Sequence, residues 1–409
     1  MHPSQHAAVS PDKPAYIMAA TGETVTFGQL NARSNQAAQL FRSKGLKTGD
    51  CIAVLMENNA RYFEVVWGAQ RSGLYYTCIS TRLTAGEIEY IVKDCGAKIL
   101  IASASLPVAA ELPERLPGVT LYSVGGAIKG YRSYEETASA MPEAPIADET
   151  SGADMLYSSG TTGRPKGVKV PLPGTPITEA GSLFVMTGLL FGVTKDSVYL
   201  SPAPLYHAAP LRWNMAVQRY GATCVVMEHF DPEEALKLIE KYKVTVSQWV
   251  PTMFVRMLKL PDAVRAKYDL SSHKAAIHAA APCPIEVKKR IFDWWGPVLH
   301  EYYAGTEGNG FVYCSPEDWL KHPGTVGRAI MGEIHVVNEA GEDVPTGEEG
   351  VIYFANGPAF EYHNDPEKTA QSRNAKGWST LGDVGKLDGD GFLYLTDRKA
   401  FMIISGGVN

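Results

Sequence analysis

Residues 157–168 of this chain read Tyr157-Ser-Ser-Gly-Thr-Thr-Gly-Arg-Pro-Lys-Gly-Val168. From Ser158 to Gly167, every residue is small, hydroxylic or basic, apart from one proline. Glycines let a backbone approach a ligand closely. Hydroxyl and backbone N–H groups donate to phosphate oxygens, and Arg164 and Lys166 add positive charge. A surface turn is the alternative for such a cluster, but its length and two basic residues favour a phosphate-binding loop.

The loop is not a Walker A element, which requires Gly-Lys followed by Ser or Thr. Here Pro165 precedes Lys166 and Gly167 follows it. The pattern resembles the phosphate loop of the adenylate-forming superfamily, which includes acyl-CoA synthetases, luciferases and peptide-synthetase adenylation domains. The resemblance implies contacts with the β- and γ-phosphates of ATP, with Thr162 and Lys166 acting in catalysis. The implied ATP-binding residues of the loop are Ser158, Ser159, Gly160, Thr161, Thr162, Gly163 and Lys166.

Composition indicates a soluble globular chain, and 409 residues predict two or three substructures. The net charge of −6 gives no electrostatic footprint for nucleic acid. The six cysteines are scattered, and we expect reduced core residues of a cytoplasmic protein. The start lacks the order of a signal peptide. No apolar run approaches the ~20 residues of a membrane span, and the most apolar one, 183–193, is interrupted by Gly188 and Gly192.

The chain alternates between helix and strand patterns over two blocks. In the first hundred residues, Thr26-x-x-Gln29 and Thr84-x-x-Glu87 are capping boxes that open helices, and residues 51–56 form an apolar run typical of a buried strand. A second alternating block covers residues 197–299. This order predicts parallel sheets covered by helices. From about residue 325 to 397, short β runs between turns predict a small antiparallel sheet or barrel.

The predicted fold is therefore α/β, with two doubly wound α/β layers and a small antiparallel β-barrel. The predicted subdomains are 1–196 with the phosphate loop 157–168, 197–324, 325–396 and a hinge at 397–409.

The final apolar run from Phe401, followed by Ser-Gly-Gly, looks like the start of an element, because termini normally taper into polar residues. The resemblance implies that a C-terminal lid domain, with a carboxylate-contacting lysine, begins there. We expect this chain to lack that domain and to turn over slowly. Ala400 also stands where the family has a polar hinge residue.

Tyr303-Ala-Gly-Thr-Glu307 is similar to the family's aromatic–small–x–Thr–Glu motif. The resemblance implies that Tyr303 stacks on adenine, Thr306 binds near the α-phosphate and Glu307 binds Mg²⁺. Magnesium is commonly held by one or two carboxylates plus substrate phosphates, which suits this assignment. A glycine-containing turn is the alternative. The predicted nucleotide site also includes Tyr302, Ala304 and Gly305.

Three further segments are similar to nucleotide-binding parts of the family. Trp378-Ser-Thr-Leu-Gly-Asp383 implies an aspartate that accepts from the ribose hydroxyls, as acidic residues do in dinucleotide folds; Leu381 replaces the usual threonine. Thr396-Asp-Arg398 implies an arginine on ribose and phosphate. A turn aspartate and a solvated arginine are the respective alternatives. The small-residue segment 279–284 corresponds to the adenine slot, and it adds Ala280, Ala281 and Pro282.

Pro204-Leu-Tyr-His207 is similar to the segment that borders the carboxylate end of the acyl pocket, which makes His207 a candidate catalytic residue. The residues after it are apolar, and the nearest acidic residues in sequence are Asp196 and Glu228. Enzymes that activate amino acids need a carboxylate for the ammonium group, so a plain carboxylic acid is favoured. Trp213, Trp249 and Gly305 complete the predicted acyl pocket, although a core role is the alternative for both tryptophans.

The ordered motifs identify the chain as the large N-terminal portion of an acyl-CoA synthetase. The resemblance implies ATP, Mg²⁺ and coenzyme A, with an apolar carboxylic acid, expected to be a fatty acid, as substrate. The alternatives are an aryl-acid CoA ligase, a ligase that loads a carrier protein, and a nucleotide-binding module without turnover. The oligomeric state stays open, with a homodimer as one alternative.

Overall fold

A computed structural model describes residues 1–158 and 164–398, the last two by their backbone alone. The helices are α1 Pro3–Val9, α2 Phe27–Ser43, α3 Tyr62–Arg71, α4 Ala85–Asp94, α5 Leu112–Arg115, α6 Tyr134–Ser139, α7 Ser182–Phe191, α8 Ala208–Tyr220, α9 Pro232–Tyr242, α10 Pro251–Leu258, α11 Asp262–Arg265, α12 Ile285–Trp295, α13 Pro316–Lys321 and α14 Pro366–Gln371, with one 3₁₀ turn at Pro107–Glu111. The strands are β1 Pro14–Met18, β2 Thr24–Thr26, β3 Cys51–Leu55, β4 Tyr75–Cys78, β5 Ala97–Ser103, β6 Thr120–Val124, β7 Arg132–Ser133, β8 Ala153–Asp154, β9 Leu156–Ser158, β10 Lys166–Lys169, β11 Val198–Ser201, β12 Thr223–Val226, β13 Val246–Trp249, β14 Ala275–His278, β15 Leu299–Tyr303, β16 Phe311–Cys314, β17 Arg328–Met331, β18 Glu333–Val337, β19 Gly350–Ala355, β20 Glu361–Tyr362, β21 Asp383–Leu387 and β22 Leu393–Arg398.

The chain divides into two compact units. The first unit consists of residues 1–157 and 169–229, and the second, over its described part, of residues 158, 164–168 and 230–398. The predicted subdomain boundaries at 196, 324 and 396 stay a prediction.

The first unit contains a six-stranded parallel sheet in the order β7-β6-β5-β3-β4-β8. Strand β3 lies between β4 and β5, with Ala53 opposite Thr77 on one side and Leu100 on the other. All five residues of β3 are buried, which explains its continuous apolar run. The same unit holds β11-β12-β1-β2, where β1 is parallel to β12 and antiparallel to β2.

Both predicted capping boxes are present in this unit. The Thr26 hydroxyl accepts from the Gln29 N–H (3.2 Å), and the Gln29 side chain accepts from the Thr26 N–H (3.1 Å). Thr84 and Glu87 make the same reciprocal pair at the start of α4. Each pair satisfies two N–H groups that a helix start leaves without partners.

The second unit contains β13, β14 and β15 as parallel neighbours, followed by β16 and β17 as antiparallel ones. The region predicted to be a small antiparallel sheet or barrel is a four-stranded antiparallel sheet in the order β18-β19-β21-β22. One face packs around Val312, Ile352 and Leu393. Strand β10, which follows the phosphate loop, pairs with β20.

Two expectations from the sequence were wrong in detail. Gly188 does not interrupt the apolar run, because α7 continues through it, and a side chain there would collide with the Tyr220 hydroxyl. The helix ends at Gly192, which has a φ of 64°. Five of the six cysteines are buried as expected, but Cys283 is half-buried. Over the described ranges, no helix combines the length and apolar character needed to cross a membrane.

Candidate active site

The candidate nucleotide site begins where parallel strands of the second unit end. His278, the last residue of β14, lies opposite Glu301 in β15. Residues that follow β14 and β15 therefore leave the sheet at the same edge, where open α/β sheets bind ligands. This edge brings together two predicted segments that are about twenty residues apart in sequence, 279–284 and 302–307.

A tyrosine and an aspartate predicted to bind AMP are directly paired in this unit. The Tyr303 hydroxyl donates to Asp383 Oδ2 at 2.6 Å, although 80 residues separate them. Asp383 is the first residue of β21 and is only 4% exposed. The Tyr303 ring packs against Phe354, with 6.2 Å between ring centroids. The aromatic ring and the carboxylate are therefore held as one preformed element.

Glu307 is buried, and its Oε1 accepts a hydrogen bond from the Tyr362 hydroxyl at 2.9 Å. Its other oxygen folds back towards Gly305. A side chain at Gly305 would place its Cβ 2.7 Å from Glu307 Oε2 and 2.8 Å from Leu381 Cδ1, so a larger residue here would displace the Glu307 carboxylate or Leu381. Leu381 contributes apolar packing at the position where the family has a threonine. The neighbouring Thr380 hydroxyl donates to the Ile352 carbonyl (2.6 Å).

Tyr362 is a residue of this site that the sequence did not reveal. It lies on the two-residue strand β20, just before His363-Asn-Asp-Pro366, which reads as a turn. Burial, and next the Glu307 carboxylate, raise the pKa of Tyr362 well above its usual value. The hydroxyl therefore stays protonated and donates to Glu307. No local pattern marks a tyrosine whose partner lies 55 residues away.

Lys166 lies at the start of β10, and its Nζ is 5.8 Å from the centre of the Tyr362 ring. Burial, and next the Lys368 ammonium, lower the pKa of Lys166. Ser158, at the end of β9, is half-buried. Five predicted residues lie outside the described residues: Ser159, Gly160, Thr161, Thr162 and Gly163. The same holds for the side chain of Arg398.

The predicted adenine slot has a strained backbone. Ala280 has a φ of 72°, in the left-handed region that non-glycine residues rarely occupy. Such a conformation costs roughly 1–2 kcal/mol and concentrates at functional sites. The strain follows directly after β14, between buried Ala279 and exposed Pro282. Ala281, the third predicted residue here, is half-exposed.

A buried ion pair supports the two strand ends. Lys288 Nζ in α12 lies 2.6 Å from Glu301 Oε2 in β15, and the side chains are 0% and 6% exposed. His278 Nε2 lies 3.4 Å from the same oxygen. Burial, and next the charge of Lys288, lower the pKa of His278 well below its usual value, so its ring is neutral. The Lys288 ammonium also lies 4.8 Å from the centre of the Trp319 ring.

Two of the remaining predicted residues of the second unit, Tyr302 and Trp249, are buried. Tyr302 is 8% exposed, and its hydroxyl accepts from Gln248 at 3.0 Å. Trp249 is 1% exposed, and its indole N–H donates to the Ser247 hydroxyl at 2.5 Å. Ala304 and Thr306 are half-buried between Tyr303 and Glu307. An acyl-pocket role for Trp249 stays a prediction.

In the first unit, His207 is the residue that precedes α8. Its ring packs against Tyr206 with 4.5 Å between centroids. Burial, and next the positive charge of Arg82, lower the pKa of His207 to about 4, so the imidazole is neutral near pH 7. Trp213, six residues further along in α8, is 2% exposed and packs against Phe191, with 5.0 Å between ring centroids.

The expectation that no acidic residue lies near this segment was wrong. Asp154 of β8 lies beside Arg212 of α8, with 2.7 Å between Arg212 Nη2 and Asp154 Oδ2. Arg212 Nε lies 3.2 Å from each carboxylate oxygen as well. The two residues are 58 positions apart, so proximity in sequence could not reveal this pair. The carboxylate is neutralised by the arginine.

The comparisons with known proteins agree with this fold. Residues 4–360 match the family model described as AMP-binding enzyme. The long-chain-fatty-acid–CoA ligase FadD13 of Mycobacterium tuberculosis is 32% identical, over 99% of this chain and 79% of that protein. Feruloyl-CoA synthase of an Amycolatopsis species is 28% identical, over 100% of this chain and 80% of that protein. The solved N-terminal domain of FACL13 from Mycobacterium tuberculosis superposes with a TM-score of 0.81 at 27% identity, covering 97% of this chain and 98% of that one.

Fold and sequence together define a protein of the adenylate-forming class. The chain belongs to the AMP-binding enzyme family, and its relatives are acyl- and aryl-CoA ligases. ATP and coenzyme A are the co-substrates of this AMP-forming acid–thiol ligase family.

Proposed function

We propose that this protein activates an apolar carboxylic acid, a fatty acid, with ATP and transfers the acyl group to coenzyme A. The observation that carries the proposal is the hydrogen-bonded pair Tyr303–Asp383 in the same unit as the buried Glu307. An aromatic face suits adenine, and a carboxylate suits the two ribose hydroxyls. Similarity to CoA ligases supports the reaction class.

The proposed reaction has two steps. A carboxylate oxygen of the acid forms a bond to the α-phosphorus of ATP, and the bond from that phosphorus to the bridging oxygen breaks. Pyrophosphate leaves, and acyl-adenylate remains. The thiol of coenzyme A then releases its proton to water and its sulfur attacks the acyl carbon, while AMP leaves with the electron pair of the broken C–O bond.

The residues of this chain contribute mainly by positioning and by charge. Asp383 would hold the ribose, Tyr303 the adenine and Lys166 the distal phosphates. Glu307 would hold Mg²⁺, whose charge offsets that of the phosphates. The buried carboxylate of Glu307 is an oxygen ligand of the type that magnesium prefers. A magnesium site of one carboxylate, substrate phosphates and water is typical.

The preference for an acid without an ammonium group rests on the first unit. His207 is neutral near pH 7, since its pKa lies at about 4. Asp154, a carboxylate beside α8, is paired with Arg212 and is therefore not free to bind an ammonium group. Similarity to FadD13 supports a fatty acid. Similarity to feruloyl-CoA synthase supports an aryl acid as the second candidate.

Acid-dependent release of pyrophosphate tests this proposal. We expect the highest rate with a long-chain fatty acid, a lower rate with ferulate and the lowest with amino acids. Detection of the acyl-CoA product separates coenzyme A from a carrier protein as acceptor. AMP binding without release of pyrophosphate for any acid would favour a binding module instead. The same assay measures the predicted slow turnover. The cytoplasmic location stays a prediction that cell fractionation tests, and the homodimer stays an alternative that light scattering tests.

A further inference from the structure

We infer that Tyr362 is a positioning residue that holds the carboxylate of Glu307 and the ammonium of Lys166 in a fixed relation to each other. Its hydroxyl donates to Glu307 Oε1 at 2.9 Å. The face of its ring lies 5.8 Å from Lys166 Nζ, within the range of a cation–π interaction. One side chain therefore contacts both groups to which the proposed function assigns magnesium and the distal phosphates. This inference rests on that proposed function.

Tyr362 is itself held at several points, as a positioning residue must be. Its main-chain N–H donates to the Thr369 hydroxyl at 2.9 Å. Its ring packs edge-to-face on Phe360, with centroids 5.5 Å apart, and forms a buried apolar cluster with Val168. The neighbouring His363 N–H donates to the Gly167 carbonyl at 2.8 Å, which ties β20 to β10.

These contacts determine what Tyr362 can do for a bound nucleotide. A carboxylate whose orientation is fixed by a second group binds a metal better, and loss of such a group typically lowers metal affinity by about 10–100-fold. The hydroxyl should therefore matter for binding of ATP with magnesium. It should not matter for AMP, which lacks the distal phosphates that share the metal with Glu307.

The test measures nucleotide binding by calorimetry in Tyr362→Phe, which keeps the ring and removes the hydroxyl. We expect about a 10-fold loss of affinity for ATP with Mg²⁺, with affinities for AMP and for ATP in EDTA unchanged. The matched control is Tyr394→Phe, since the Tyr394 hydroxyl donates to another carboxylate, Asp388, at 3.2 Å in the β21–β22 hairpin. This control should bind all three ligands like the unaltered protein.

A double-mutant cycle separates positioning from a general structural effect. If Tyr362 acts through Glu307, the loss seen for Tyr362→Phe should disappear in a Glu307→Gln background. A loss that persists there, an equal loss for AMP, or unchanged binding of ATP with Mg²⁺ would each overturn the inference.

Failure of the proposed function has a different signature in the same experiment. If the unaltered protein binds neither AMP nor ATP, both the function and the inference are wrong. If it binds both, and Glu307→Gln removes the effect of Mg²⁺ while Tyr362→Phe changes nothing, only the inference is wrong. Thermal unfolding of each variant, expected to match the unaltered protein within a few degrees, verifies that the variants are folded.

Discussion

The two units use tyrosine hydroxyls differently. Four tyrosines of the first unit donate to main-chain carbonyl oxygens at 2.6–2.9 Å; the pairs are Tyr16–Ala60, Tyr75–Val170, Tyr131–Ala109 and Tyr220–Phe184. Tyr157 and Tyr76 depart from this pattern, because their hydroxyls donate to the Asp94 carboxylate and to Met215 Sδ, respectively. A carbonyl acceptor is part of the backbone, so these bonds mainly tie one segment of the fold to another.

Four tyrosines of the second unit donate to carboxylates; the pairs are Tyr268–Glu233, Tyr303–Asp383, Tyr362–Glu307 and Tyr394–Asp388. A carboxylate has several acceptor positions and binds charged or hydroxylic ligands strongly. Two of these acceptors, Asp383 and Glu307, are also nearly buried. In the first unit, tyrosine hydroxyls therefore mainly stabilise the fold, whereas in the second unit they orient acidic groups that are suited to bind a ligand.

Removing buried charge from the second unit should have the largest effect. We expect Lys288→Met to lower the free energy of unfolding by about 3–5 kcal/mol, because Glu301 is left buried without its partner. The control is Lys289→Met, since the neighbouring Lys289 side chain is 50% exposed and its pair with Glu286 should contribute less than about 1 kcal/mol. Urea denaturation measures both. Equal losses would mean that the buried pair does not support this unit.

Acid should destabilise the second unit through His273, whose burial lowers its pKa to about 3. The unfolded chain titrates near pH 6.5, so between pH 6.5 and 3 it binds a proton that the folded protein does not. Stability is therefore lost as the pH falls through this window, by up to about 3 kcal/mol at pH 4.

Urea denaturation across pH checks the histidine prediction. The slope between pH 6.5 and 4 should become shallower in His273→Gln, which removes one of the buried histidines with a lowered pKa. His229→Gln, at an exposed position, is the control and should retain the slope. A His273→Gln variant with the original slope would show that another group causes the acid sensitivity.

Nucleotide binding separates the ribose side from the phosphate side of the second unit. Asp383→Ala should weaken AMP and ATP alike by about 1.5–3 kcal/mol, because charge-assisted hydrogen bonds to the ribose are lost. Lys166→Ala should weaken ATP and pyrophosphate but leave AMP nearly unchanged. Calorimetry with the three ligands checks both variants. Unchanged AMP affinity in Asp383→Ala would remove Asp383 from the site, and equal losses in Lys166→Ala would place the loop elsewhere.

The smallest expected effects come from removing single tyrosine hydroxyls, one in each unit. Tyr16→Phe should lower the free energy of unfolding by about 1–2 kcal/mol, because the buried Ala60 carbonyl loses its donor, and AMP affinity should not change. Tyr303→Phe should instead lower AMP affinity by about 1 kcal/mol, since Asp383 loses a donor that orients it. Denaturation and calorimetry on both variants give the answer. A loss of AMP affinity in Tyr16→Phe as large as in Tyr303→Phe would end the distinction between the units.

Much of the fold could be predicted because its signals are local. The reciprocal hydrogen bonds of Thr26 and Gln29 span three residues, and the buried strand β3 appears as an unbroken apolar run. The short β runs predicted between about residue 325 and 397 are present as β18, β19, β21 and β22. Helix α7 runs through Gly188, which looked like an interruption in the sequence. A larger side chain at this position would collide with Tyr220, a residue outside the local pattern.

The candidate site could be predicted only in part. Tyr303, Glu307 and Asp383 were found through motifs, and the structure adds that Tyr303 and Asp383 are bonded to each other. The carboxylate beside α8 was missed, since Asp154 is distant from Arg212 in sequence. Tyr362 was missed for the same reason, because its role depends on Glu307 and Lys166 together.

By itself, the sequence determined the strand and helix order and the residue types available at the loop and at the strand ends. Those features depend on composition, periodicity and contacts within a few residues. Only the tertiary structure decided which polar groups meet: Lys288 with Glu301, Arg212 with Asp154, and Tyr362 with Glu307. Each of these pairs joins different secondary-structure elements or the loops beside them, so its geometry follows from how the elements pack and in what register, which no local pattern in the sequence records.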